Sequence, residues 1–139
     1  MNSSSSDVVG CTFELTDDNV AIFRFADLKR ESVDLFVDTL KQLVKERDAE
    51  QAHSRTLVDA YQLSMPTPYA AKRFQELVKD KPDTLKSSVA IITSSRMVNT
   101  FVQAIFSRMP RNKHSHLHLF DTEEAALAWL DERLQEVGP

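Results

Sequence analysis

His114, His116 and His118 alternate along the chain. On a β-strand alternate side chains share a face about 7 Å apart, close enough for two imidazoles to share a metal ion with modest distortion. A third ligand would be needed and the sequence offers none nearby, so a half-exposed strand with a histidine-rich polar face is the competing reading. Asp59 follows Leu57-Val58, at the carboxyl end of an expected parallel strand, where α/β folds place ligands. It stands where a general base would stand. No nucleophile or second acid lies beside it, and aspartate there serves equally well as a turn cap. Ser64 and Thr67 carry hydroxyls in a proline-broken loop, where a turn residue and a helix cap account for both. Cys11 is the lone cysteine and has no neighbouring histidine to activate it, so it reads as a small core residue. The only glycines are Gly10 and Gly138, which excludes a glycine-rich phosphate loop. No set of catalytic residues emerges; the expectation is a protein that is not an enzyme and needs no cofactor.

Composition narrows the classes further. A chain of 139 residues suits one domain that folds without metal or disulfide. The apolar share is 42% and the charged share 27%, ordinary globular usage. The net charge of −4 argues against nucleic acid, whose binding needs a clustered basic face. The one basic cluster, Arg108, Arg111 and Lys113, reads as solvent-facing punctuation. A single cysteine fits a reducing cytoplasm, no apolar run reaches the roughly 20 residues of a membrane span, and no signal peptide is evident. The expected location is cytoplasmic. Residues 1–9 read as a disordered polar tail, and 10–136 as the domain.

The elements that position these residues follow from periodicity. Gly10–Leu15 and Val20–Phe25 read as strands joined by a turn at Asp17-Asp18-Asn19. Val33, Phe36, Val37, Leu40, Leu43 and Val44 have the spacing of one buried helix face. Thr56–Ala60 is a short strand. Thr67 before Pro68 marks the start of a second helix, closed by Pro82. Val89–Thr93 is a continuous apolar run, expected for a central strand. Ser94-Ser95 start a third helix reaching Met109 before Pro110. Leu117–Phe120 is the last strand, and Asp121 with Glu124 forms a capping box for a final helix packing Leu127, Leu130 and Leu134. The order ββαβαβαβα predicts a single five-stranded mixed sheet of the α/β class, antiparallel only at its edge hairpin.

From about Gly10 to Leu134 the chain resembles the STAS-type proteins, within them the SpoIIAA-like group, which itself resembles lipid carriers of the CRAL-TRIO type. The likeness is carried by Leu57-Val58-Asp59 leading into Met65-Pro66-Thr67-Pro68-Tyr69, by Leu119-Phe120-Asp121 running on to Ala125-Ala126-Leu127-Ala128-Trp129-Leu130, and by the order of elements. Anti-sigma-factor antagonists of this type carry an Asp-Ser-Ser-Gly stretch with a phosphorylated serine after the third strand. Here Ser64-Met65-Pro66-Thr67-Pro68-Tyr69 stands in that place, with Pro68 near the acceptor position. The resemblance therefore implies the fold without the familiar phosphorylation switch.

The third helix is the most telling stretch. Met97, Phe101, Ile105, Val98, Met109, Val102 and Phe106 cover about half its circumference at about 100° per residue. A helix lying on a sheet needs a stripe only a little over about 100° wide. Some apolar surface should be left for an interface or a ligand. The leading expectation is a non-catalytic STAS-like binding module, contacting a protein partner or a second copy as a homodimer through Asp59, Ser64, Met65, Thr67, Tyr69, Met97, Phe101 and Phe106. The alternative from the lipid-carrier resemblance is a lipid-like ligand beneath the third helix and the Met65 loop, which open as a lid on peripheral membrane contact. The third is a metal-dependent enzyme at the histidine row.

Overall fold

The computed structural model describes residues 9–108 and 115–139. The chain forms β1 (Cys11–Leu15), β2 (Val20–Phe25), α1 (Arg30–Ala49), β3 (Ser54–Asp59), α2 (Pro68–Asp80), β4 (Ser87–Ile92), α3 (Arg96–Phe106), β5 (Ser115–Phe120) and α4 (Glu123–Val137). The five strands make one sheet in the order β1-β2-β3-β4-β5. β1 pairs antiparallel with β2, and every later pairing is parallel. The run at Val89 is thus an inner strand, as its unbroken apolar character predicts. The polar tail falls mostly on residues outside the described ones. Met109, Arg111, Lys113 and His114 lie outside them as well.

Local chemistry sets the element ends. Asn19 takes the left-handed backbone (φ 66°) that closes the β1–β2 turn, a conformation asparagine tolerates better than most residues. The Thr67 hydroxyl accepts from Ala70 N at 3.1 Å, with Pro68 in the first turn. Ser95 does the same for Val98 N at 3.2 Å. At α4 the cap is Thr122, which accepts from Ala125 N at 3.2 Å, rather than Asp121. A hydroxyl one residue later competes for the same orphan amides. β3 and β4 begin two residues earlier than their apolar runs because Ser54, Arg55, Ser87 and Ser88 are buried polar strand residues, invisible to a hydrophobicity pattern.

The helices divide unequally between the two faces. β2 to β5 are added side by side in chain order, so right-handed crossovers put α1, α2 and α3 on one face together. There Phe23, Phe25, Val33, Phe36, Val37, Val58, Ile91 and Val98 form the larger core, with Leu117 and Leu119 packed against it. α4 alone covers the other face, with Ala126 and Leu130 on Val20, Ile22, Leu57, Ala90 and Ile92. Phenylalanine rings link the elements of the three-helix side. Phe23 meets Phe36 edge-on at 4.9 Å, Phe36 meets Phe74 at 5.4 Å, and Phe74 meets Phe101 at 6.1 Å. Such pairs add about 0.5–1.5 kcal/mol each beyond the area they bury.

Candidate functional site

Side chains alternate across a strand, so Ser54, Thr56, Val58 and Ala60 of the β3 segment lie on the three-helix face. Through the register Ser54↔Ser87, Thr56↔Val89 and Val58↔Ile91 they sit beside the matching row of β4. All are short except Ile91. Above this floor stand Phe36 and Leu40 of α1, Phe74 and Leu77 of α2, and Val98, Phe101, Val102, Ile105 and Phe106 of α3. The large rings are taken up by one another and by β2, Phe36 meeting Phe23, Phe25 and Phe74, and Phe74 meeting Phe101. Between floor and helices an apolar cavity of about 200 Å³ remains. Well-packed interiors hold few voids larger than a water molecule.

This cavity accounts for the width of the α3 apolar arc. Only Val98 of that helix is buried. Phe101, Val102, Ile105 and Phe106 are half-buried and border the cavity. Met97, at one limit of the arc, points elsewhere and is 52% exposed. So the apolar side of the helix is shared between the core, through Val98 and Val102, and the space beside it.

One end of the cavity is polar. It lies at the amino ends of β3 and β4, where α2 terminates, and is bordered by Ser54, Ser87, Lys41, Asp80, Lys81 and His116. Lys41 is held by Asp80 at 3.5 Å and Glu76 at 3.7 Å. Lys81 has no hydrogen bond and no ion pair within 4 Å among the described residues. Burial pushes its ammonium down to about 8, only partly opposed by the charge of Asp83.

The other residues singled out from the sequence fall elsewhere. Asp59 faces the α4 side. One of its oxygens accepts from Arg24 at 3.1 Å and the other from Tyr61 N at 3.1 Å. Arg24 also binds Glu123 at 2.6 Å. Both oxygens of Asp59 are therefore engaged, one in an ion pair and the other in a turn. Tyr69 donates to Asp34, and the Arg30 guanidinium lies 4.2 Å above its ring; it fastens α2 to α1. The carbonyl of Ser64 accepts from the Ser95 hydroxyl at 3.2 Å, tying the β3–α2 loop to the start of α3. On these tied segments Met65 is 61% exposed, close to the exposed Tyr61 of the same loop.

His118 stacks on Trp129 of α4 with ring centroids 4.7 Å apart. Among the described residues no three histidine, cysteine, aspartate or glutamate side chains converge as a metal site, and His114 is not among those residues. Cys11 is buried, and its thiol is pushed up to about 12 by burial and then by Asp27. It is in no state to act as a nucleophile at neutral pH.

Periodicity alone did not find the floor of short side chains or Lys81. The signal was present: Ser, Thr, Val and Ala at alternate positions of two central strands are too short to fill the space beneath three helices. Pro82 is the other clue, because the residue before proline is pushed from helical to extended backbone. Lys81 obeys, with φ −66° and ψ 128° at the end of α2.

No family model matches the chain, and no curated protein matches it. No helix among the described residues is long and apolar enough to cross a membrane.

Proposed function

We propose that this is a non-catalytic domain of STAS type, SpoIIAA-like, that holds a small apolar ligand between its sheet and its three-helix layer. One observation carries the reading: the apolar cavity of about 200 Å³ under α3. An engineered apolar cavity of about 150 Å³ in another protein stays dry and binds benzene. Apolar walls that face open space lack partner atoms on one side, and an occupant supplies those contacts. α3 is the wall that contributes most to it: Val98, Phe101, Val102, Ile105 and Phe106 all border the cavity, and only Val98 of the helix is buried.

The test uses 1-octanol as an uncharged probe. Binding should raise the melting temperature of the wild type in a concentration-dependent way. Val102→Phe, which fills the space, should melt normally and lose the response. A wild type indifferent to 1-octanol, or a filled variant that still responds, would overturn the reading.

A second reading, docking to a protein partner or a second copy, is favoured by the exposed Met65 and Met97 on neighbouring segments. Methionine suits surfaces that re-pack around a partner. Sedimentation of the wild type beside Met97→Asp checks it: the reading needs an associated species that the variant loses.

A further inference from the structure

We infer that the ligand of the cavity is an amphipathic monoacid, a carboxylate on an aliphatic tail, and that Lys81 is the residue that binds the carboxylate. The inference rests on the cavity being a binding site and adds the chemical class of its occupant. An aliphatic tail fits walls built from Val58, Phe74, Leu77, Val89 and Val102. Its head must then lie at one of two ends. At the Ala60 end the border is Leu63, Pro66 and Val98, which offers no charge. The amino end of β4 supplies one.

There the charges are unequally committed. Lys41 is spent on Asp80 and Glu76, and both carboxylates are likewise engaged by it. Asp83 acts on Lys81 electrostatically without closing an ion pair within 4 Å. His116 borders the same end and is engaged elsewhere. Lys81 alone brings a half-buried cation to the cavity wall with its donors unspent among the described residues. A cation is favourable at a helix C-terminus, but a fully exposed side chain would serve that purpose without the loss of hydration. Burying an ammonium against apolar walls is costly unless an anion meets it. Ser54 and Ser87 add hydroxyl-bearing residues to the same end, able to share a carboxylate oxygen.

Octanoate and 1-octanol share a tail length and differ in the head. Titration of the full chain at pH 7 should show octanoate binding at least tenfold more tightly than 1-octanol. Lys81→Met keeps the apolar stem and should bring octanoate down to the affinity of 1-octanol, with 1-octanol itself unchanged within twofold. Lys81→Gln is the second variant, expected to behave alike. If octanoate binds no better than 1-octanol, or keeps its advantage in both variants, the assignment to Lys81 is overturned while the cavity still binds. If neither probe binds the wild type, the cavity reading fails, and the assignment with it.

Discussion

His53 Nδ1 lies 2.9 Å from the carbonyl oxygen of Gly138. A carbonyl only accepts, so Nδ1 carries the proton. Nε2, 2.8 Å from the Ser88 hydroxyl, must then accept from it, and the same hydroxyl accepts from Arg133 Nε at 3.0 Å. The chain of donors runs Arg133, Ser88, His53, Gly138, and it ties the end of α4 to the start of β3. It works only with a neutral imidazole. Burial, together with Arg55, Arg133 and Lys86 nearby, holds His53 down at about 4 although the Gly138 bond favours the charged form.

Stability should therefore fall on mild acidification. Between pH 6.5 and 4 the unfolded histidine takes up a proton that the folded one refuses, so stability declines as the pH drops through that window. The expected loss between pH 6.5 and 5 is about 1–2 kcal/mol. Urea denaturation at intervals across this range measures it. His53→Gln should remove most of the slope; an unchanged slope in the variant would assign it to other groups.

Affinity for octanoate should depend on pH from the other side. Lys81 is charged below about 8 in the empty cavity, so binding is constant there and weakens above it, because a proton must be restored before the anion can pair. The expected decline from pH 7 to pH 9 is about tenfold, against almost none for a lysine of ordinary pKa. Calorimetric titration at the two pH values decides. Asp83 is the charge that acts on Lys81 and opposes the downward shift; Lys41, Asp80 and His116 border the same cavity.

Thr67→Ala should lower stability by about 1 kcal/mol, the usual cost of losing a cap, because its hydroxyl satisfies Ala70 N. Thr67→Ser should restore it. Incubation with a STAS-directed kinase should leave both Ser64 and Thr67 unmodified. Stoichiometric phosphate on Thr67 would mean that the α2 cap opens readily, and the Thr67→Ala melt would then show little change.

Phe106→Asp tests the wall of the cavity. Phe106 is half-buried and borders the space. A carboxylate there would face the apolar walls of the cavity. The variant should lose 1-octanol binding and melt several degrees lower, short of the collapse expected for a fully buried, unpaired charge. Wild-type melting with intact 1-octanol binding would place the ring outside the site.

Gly10→Ala should cost about 1–2 kcal/mol. A methyl group at Gly10 would stand 2.1 Å from Asp27 Oδ2. Asp27 cannot simply swing aside, because its other oxygen accepts from Lys29 N at 3.0 Å and from the Ser32 hydroxyl at 2.6 Å, bonds that hold the turn leading into α1. Thermal melting of Gly10→Ala beside Gly10→Ala/Asp27→Gly separates the clash from the loss of the Asp27 hydrogen bonds.

The strands and helices were legible because each announces itself locally, by alternation in β2, by the Val33–Val37–Leu40–Val44 stripe of α1, and by Thr67-Pro68. Their order was enough to give the sheet. Less legible were the buried polar ends of β3 and β4, since His53, Arg55, Ser87 and Ser88 are buried through partners distant in sequence. For His116 and His118 the alternation gave the shared face, yet not that His118 would be taken up by Trp129. The wide arc of α3 announced unfilled surface; what it bordered depended on the lengths of side chains on two other strands, a volume that no single periodicity contains.

Every strand lies beside the one that precedes it in the chain. During synthesis the sheet can accordingly be lengthened at one growing edge, each crossover laying its strand against a finished neighbour, with no gap held open for a strand still to come. The loop closures are short and successive, which keeps the entropic barrier of each step low. α4 then seals the opposite face last, when its carboxyl end meets His53.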